Sequence, residues 1–406
     1  MKKVAIYGPT LTSQGLKKKG VLIEDGVITQ VSNKELSDDL GDCLRLRAYQ
    51  ILLPGIVNWH EHGRDMKQAN RETIATCTLH ALMTGKFETW LMPNTNPPLN
   101  CMDHIRMYQA IIDKNALIPA YIHALIGPHT KKPTIDSMIA AGITHFKVFV
   151  GTTTDMDEMA FGEHNKKRLV EIIDFLPEGV EVSAHLELGL KEYAHLWNPA
   201  IPATHYDARP NQVELRAAEF FINKVVSEYP DIEFWACHPS TKEILELSRP
   251  QNFHLEFTPH YAYFNKEAFE WKRYTIKCNP SIKTEADRSA LEQALYAGVF
   301  ERWGDDHAPH TIIDKQENFY SGLPSFSGAL LGYFILSASR PENLLKTFTK
   351  PEWLIQPGNP ARLMILDTRF RAVREGDMAT KARKISPYLN EELPFIKTII
   401  YGKKII

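Results

Sequence analysis

Cysteine is scarce in this 406-residue sequence: there are five, at positions 43, 77, 101, 237 and 278. The number is odd and no two stand in Cys-x-x-Cys spacing, which argues against a disulfide framework and for reduced thiols. A surplus of one charge is also missing. Forty-seven basic residues face 49 acidic ones, for a formal net charge of -2, so no long-range field draws the chain to nucleic acid or to anionic membranes. A small-molecule partner fits better. No apolar run reaches the ~18 residues of a membrane span. The start, Met1 to Pro9, turns polar before a signal-peptide core of sufficient length appears. The expectation is a cytoplasmic enzyme without a nucleic-acid or membrane partner. Internal repeats and low-complexity linkers are lacking as well.

What is present suits one large folded unit. Hydrophobic residues make up 44% and charged ones 24%, ordinary for a chain that buries a sizeable core. Residues 1–50 read as a β segment in which Asp25-Gly26 signals a hairpin. From Ile51 brief apolar strands alternate with helix-length stretches, the pattern of parallel β/α units. Eight candidate strands fall near 51–57, 89–92, 119–126, 145–150, 180–185, 232–237, 253–258 and 300–305. Helices are expected over Arg71–Thr84, Asn165–Phe175, Val213–Glu228 and Thr284–Tyr296, the last opened by Thr284 with Asp287 three residues on. The expected fold is α/β: a (β/α)8 TIM-type barrel over 51–364 with a small β-rich appendage built from both chain ends, 1–50 and 365–406.

Potential ligands gather at the ends of these strands. In Pro54-Gly55-Ile56-Val57-Asn58-Trp59-His60-Glu61-His62, two histidines two apart on a strand point the same way and can share an ion. His185 follows an apolar strand, His238 another, and Asp306 a third. In such barrels the active site is assembled at the carboxyl ends of strands. Lys147 stands inside the apolar His145-Phe146-Lys147-Val148-Phe149-Val150, where an uncompensated ammonium is costly. It either snorkels or pairs with an acid, or, as a carbamate formed with carbon dioxide, bridges two cations. Among the remaining histidines, His195 and His205 lie in or beside the Pro-containing stretch Trp197–Pro210, which reads as a long loop, with a lid or dimer contact as the alternative.

These residues resemble the amidohydrolase superfamily and, within it, the dihydroorotase family. The resemblance spans nearly the whole chain. It rests on Pro54-Gly55 leading into His60-x-His62-x-Arg64, on Met92-Pro93-Asn94-Thr95-Asn96-Pro97-Pro98, on Asn279-Pro280 and on Asp306-His307-Ala308-Pro309-His310. It implies that His60, His62 and Asp306 hold one metal, that His185 and His238 hold the other, and that carboxylated Lys147 bridges them. It further implies that Arg64, Asn94 and His310 hold a substrate carboxylate, a role suited to an arginine fork and an amide. The stretch after Lys147 is similar to family members in which a Gly/Ser/Thr-rich loop follows the bridging lysine. Thr152, Thr153 and Thr154 then form either a mobile lid or a plain turn from strand to helix.

The implied reaction is reversible: dihydroorotate opens to N-carbamoyl-aspartate, a step of pyrimidine synthesis. Two divalent ions acidify water and polarise the ring carbonyl, and Asp306 carries the proton. Zinc suits the His and carboxylate donors. Two rival readings stand beside this one: another cyclic-amide hydrolase of hydantoinase or allantoinase type, and a metal-free partner of aspartate transcarbamoylase. Homodimerisation is a further expectation. Departures from the family pattern are Asp305, where many relatives have Thr, Lys283 in place of an arginine, and Gly376 to Lys381 in place of an Ala-Asp-Leu segment.

Overall fold

The computed structural model describes residues 3–36, 42–153, 156 and 158–405. The chain begins with three antiparallel strands, β1 (Lys3–Thr12), β2 (Gly15–Glu24) and β3 (Val27–Ser32). Between β2 and β3, Asp25 and Gly26 both have positive φ, 52° and 89°. That backbone matches the right-handed twist of the flanking strands, and Asp-Gly is the pair that tolerates it. β4 (Asp42–Arg45) and β5 (Gln50–Pro54) both run parallel to β1.

Ten further strands follow the apolar runs of the sequence. They are β6 (Ile56–Glu61), β7 (Lys86–Leu91), β8 (Ala120–Ile122), β9 (Ala124–Leu125), β10 (His145–Phe149), β11 (Glu181–His185), β12 (Glu233–Ala236), β13 (Phe253–Phe257) and β14 (Arg302–Trp303), with β15 (Arg362–Ala372) closing the series. β6, β7 and β8 form one parallel sheet, and β9 through β14 another in sequential order. Phe146, Val148, Val182, Ala184, Phe234, Ala236, Leu255 and Phe257 are all buried, as expected of parallel strands covered on both faces. β15 returns antiparallel to β5 and pairs with β16 (Glu392–Tyr401), which pairs with β17 (Lys404–Ile405). Segments near both chain ends therefore share one eight-stranded sheet.

Several expectations change in detail; the run 119–126, for one, is two strands, β8 and β9, in different sheets, and the helix expected over Val213–Glu228 spans Asn211–Lys224. The apolar run 51–57 is two strands, since β5 joins the sheet of the chain ends and β6 the parallel sheet. Gly55 turns the chain between them against Phe87, leaving no room for a Cβ. The expected helix at Arg71 begins at Ile74, because Thr73 caps it and exchanges hydrogen bonds with Thr76. The helix Glu285–Tyr296 begins as read, with Thr284 and Asp287 forming a reciprocal cap. No helix among the described residues is long and apolar enough to cross a membrane.

One buried ion cluster ties β6 to the segment after β14. Lys86 Nζ lies 2.7 Å from Glu61 Oε1 and 2.8 Å from Asp305 Oδ2, with all three side chains fully buried. Asn58 Nδ2 donates to Glu61 Oε2 at 3.0 Å and to Asp305 Oδ1 at 2.9 Å. Burial alone would raise the Asp305 carboxyl, but the Lys86 ammonium outweighs it and brings it down to about 2. Because that value lies below the ordinary 3.8, the stabilisation is present above about 4 and is lost as pH falls through about 2. Lys86→Met should lower the unfolding free energy at neutral pH by ~3–5 kcal/mol, since it leaves two buried carboxylates without a cation. Denaturant unfolding measures this, and a loss below ~1 kcal/mol would show that the cluster behaves like an exposed ion pair.

Candidate metal centre

The strand ends converge on one narrow cavity. His60, His62, Arg64, Asn94, Lys147, His185, His238 and Asp306 all line it, together with Phe149, Thr153, Asn279, Ala308 and Ser321. β6 supplies His60 and leads directly into His62; β10 carries Lys147; β11 ends on His185. His238 and Asp306 follow β12 and β14 on backbones with φ of 39° and 45°, a region costly for residues with a Cβ and common at functional sites. The larger hollow of about 570 Å³, lined in part by Ser13, Gly298, Lys346 and Lys350, contains none of these donors.

Donor atoms face one another inside the cavity. Asp306 Oδ1 lies 3.0 Å from His62 Nε2 and 3.4 Å from His60 Nε2, and these three side chains form a cluster that could hold an ion. Across from them, His185 Nδ1 and His238 Nε2 are 3.2 Å apart. The His60 and His238 rings lie side by side with centroids 5.1 Å apart, so the two groups are contiguous. Burial lowers the basicity of His60, His62 and His238 well below the ordinary range, and nearby cations add to this. A neutral imidazole is the form that binds metal. Burial also pushes the Asp306 carboxyl up, although Lys147 partly offsets it. Lys147 Nζ lies in the cavity 2.8 Å from Cys237 Sγ, with its side chain buried.

This donor set fits divalent metal. Nitrogen and carboxylate donors are largely buried and crowded at hydrogen-bonding distance, an arrangement that a shared cation would stabilise. A second potential cluster, Glu61 with Cys77 and His307, fits less well because Lys86 already neutralises Glu61.

The three expected carboxylate-binding residues are also adjacent. Arg64 Nη2 donates to His310 Nε2 at 3.2 Å; arginine can only donate, so the His310 proton sits on Nδ1. That nitrogen faces Asp314 at 3.7 Å, which Arg71 in turn holds through two bonds of 3.0 and 3.1 Å. Asn94 lies in the turn after β7 and lines the same cavity. In the threonine-rich loop, Thr153 lines the cavity and accepts from Asn279 Nδ2 at 3.2 Å, and Thr152 accepts from Tyr320 at 2.8 Å. Thr154 lies outside the described residues.

Asn279 of the Asn279-Pro280 motif, Phe149 and Ser321 line the cavity without a sequence signal that marks them as site residues. The same holds for Glu187 and Glu256, which contact His185 and His60. A lone glutamate carries no spacing signal. Of the departures, Asp305 pairs with Lys86, and Lys283 is buried with its ammonium on the Arg209 carbonyl at 2.5 Å. In the third, Thr380 and the Lys381 amide donate to buried Glu72.

No family model matches the chain. It is 26% identical over 418 residues to the dihydroorotase of Elusimicrobium minutum, covering 97% of this chain and 93% of that one. The dihydroorotase of Thermococcus kodakarensis is 25% identical over 398 residues, covering 94% and 88%. The chain is dihydroorotase-like in sequence. Among solved structures, the L-hydantoinase of Arthrobacter aurescens superposes on it with a TM-score of 0.86 at 18% identity, over 100% of this chain and 96% of that one. The dihydropyrimidinase of Brevibacillus agri gives 0.81 at 18% identity, over 100% and 95%. The dihydroorotase-like chain thus has the fold of the hydantoinases.

Proposed function

We propose that the chain is a dihydroorotase, a metal-dependent cyclic amidohydrolase that interconverts dihydroorotate and N-carbamoyl-aspartate in pyrimidine synthesis. The observation that carries this reading is the meeting of six donor-capable side chains with Arg64 and Asn94 around one cavity. The dihydroorotase relatives, matched over nearly their whole length, support the same choice of substrate.

In this reading the parallel strands close into a (β/α)8 barrel with a β-rich appendage. Only His123 separates β8 from β9, and β14 packs beside β6. His60, His62 and Asp306 would hold one divalent ion, zinc by donor type, and His185 and His238 the other, with Lys147, once carboxylated, serving as a further ligand. When bound, the ions acidify water and polarise the ring amide.

The chain's own groups do the rest. Arg64, Asn94 and His310 fix the substrate carboxylate, and thereby the distance of the scissile amide from Asp306. Asp306 accepts the proton of the attacking water and passes it to the ring nitrogen as the C–N bond breaks; in cyclisation it accepts the ureido proton instead. Thr153, tied to Asn279, screens the cavity from bulk water as part of a lid.

The hydantoinase-like fold keeps a second reading in play, with the same centre acting on hydantoins. A non-catalytic partner role is disfavoured, because all six donor positions carry donors. Assays of dihydroorotate and hydantoin opening, with metal analysis of the same sample, decide among the three. The expected result is two equivalents of divalent metal and kcat/KM higher by ~100-fold or more for dihydroorotate. Preference for hydantoin selects the second reading, and metal-free, inactive protein the third. For Lys147→Ala, loss of metal and a fall in activity of ~100-fold or more are expected, with partial recovery on adding a short carboxylic acid. A two-metal variant that needs no added acid would remove Lys147 from the bridge.

A further inference from the structure

The metal reading leaves two fully buried glutamates unused, one on each side of the cavity. Glu256, on β13, places Oε1 2.7 Å from Nδ1 of His60. Its other oxygen, Oε2, lies 3.1 Å from Arg302, whose guanidinium also donates to Ser183 at 2.7 Å and stacks over Trp235. Glu187, two residues beyond β11, places Oε2 2.9 Å from Nε2 of His185 and bonds the Arg209 guanidinium, which lies over Phe319. All four of these carboxylate and guanidinium groups are at most 3% exposed. Each half of the centre therefore repeats one arrangement: a histidine with one nitrogen turned into the cavity, the other on a glutamate, and an arginine behind the glutamate.

The ring nitrogens are used in opposite senses. His60 turns Nε2 to Asp306 and gives Nδ1 to Glu256; His185 turns Nδ1 to His238 and gives Nε2 to Glu187. An ionised carboxylate only accepts, so the nitrogen facing it must carry the proton and the one facing the cavity must be bare. Glu256 does not suit direct ligation. Glu256 shares a potential ion cluster with His60 and Cys237, yet Arg302 already occupies its second oxygen and Lys147 already contacts the Cys237 sulfur. Space is reserved for this carboxylate as well: a Cβ at Gly304 would lie 2.2 Å from the Glu256 Cδ.

We propose that Glu256 and Glu187 are positioning residues, each one fixing the tautomer of one histidine, and so the affinity of one of the two metal positions, with Arg302 and Arg209 holding the carboxylates in place. The proposal rests on the two-metal reading above. Isosteric Glu256→Gln and Glu187→Gln should each weaken one ion by 10- to 100-fold in chelator competition, because an amide can serve either tautomer. Glu256→Gln should release the ion of His60, His62 and Asp306, and Glu187→Gln that of His185 and His238. The other ion and the melting temperature of the metal-free protein should stay near the parental values, which a general loss of structure would not allow. Nitrogen-15 NMR of histidine in the parental holoenzyme supplies a reading independent of whether the variants fold: one deshielded N–H proton on a Nδ1 and one on a Nε2. Parental protein that binds no metal overturns the two-metal reading itself. Parental protein with two ions overturns the present proposal if the variants hold both as tightly, or if the parental spectra show both protons on the same type of nitrogen.

Discussion

Pairing of buried charges with opposite charges is the constraint on which most features of the site depend. Among the buried side chains, Lys86 lies between Glu61 and Asp305, Arg302 meets Glu256, and Arg209 meets Glu187. The same rule leaves the cluster of His60, His62, His185, His238 and Asp306 as the place where a positive charge is called for. The ion cluster under β6 also has a geometric effect. It joins Glu61, between the two histidines, to Asp305, next to Asp306, and so fixes two donor-bearing segments that are more than 240 residues apart. A direct backbone bond from the His62 amide to the His307 carbonyl, 2.8 Å long, reinforces that join.

Much of the site was legible because donor type and strand position coincide. His60-x-His62 announces itself by period two, and Lys147 by standing in an apolar strand. His185, His238 and Asp306 are marked by following apolar runs, and the structure brings all of them to one cavity. The partners of these residues were not legible. Glu256 and Glu187 become meaningful only once Arg302 and Arg209 are beside them, and those contacts span 46 and 22 residues with no periodic signal. The division of 51–57 at Gly55 was hidden for a related reason. Both halves are equally apolar, and only the pairing of β5 with β15 shows that they serve different sheets. Asp305 looked like a departure in sequence; beside Lys86 it is half of a charge pair.

The comparisons separate fold from chemistry. At 18% identity the hydantoinase and dihydropyrimidinase structures speak for the path of the chain, which is the same scaffold whatever ring is opened. Choice of ring rests on side chains that approach the substrate rather than on those proposed to hold metal. In the proposed reading that set would be Arg64 against His310, backed by Asp314 and Arg71, with Asn94 and Asn279 nearby. An arginine fork is suited to a carboxylate, which dihydroorotate has and an unsubstituted hydantoin lacks.

The central claim, two ions held in one cavity by donors from separate strand ends, is tested most directly by anomalous scattering from crystals of the metal-loaded protein. The account predicts two peaks, one against His60, His62 and Asp306 and one against His185 and His238, with density extending from Lys147 Nζ between them. A single peak, no peak, or a peak at Glu61, Cys77 and His307 would contradict it.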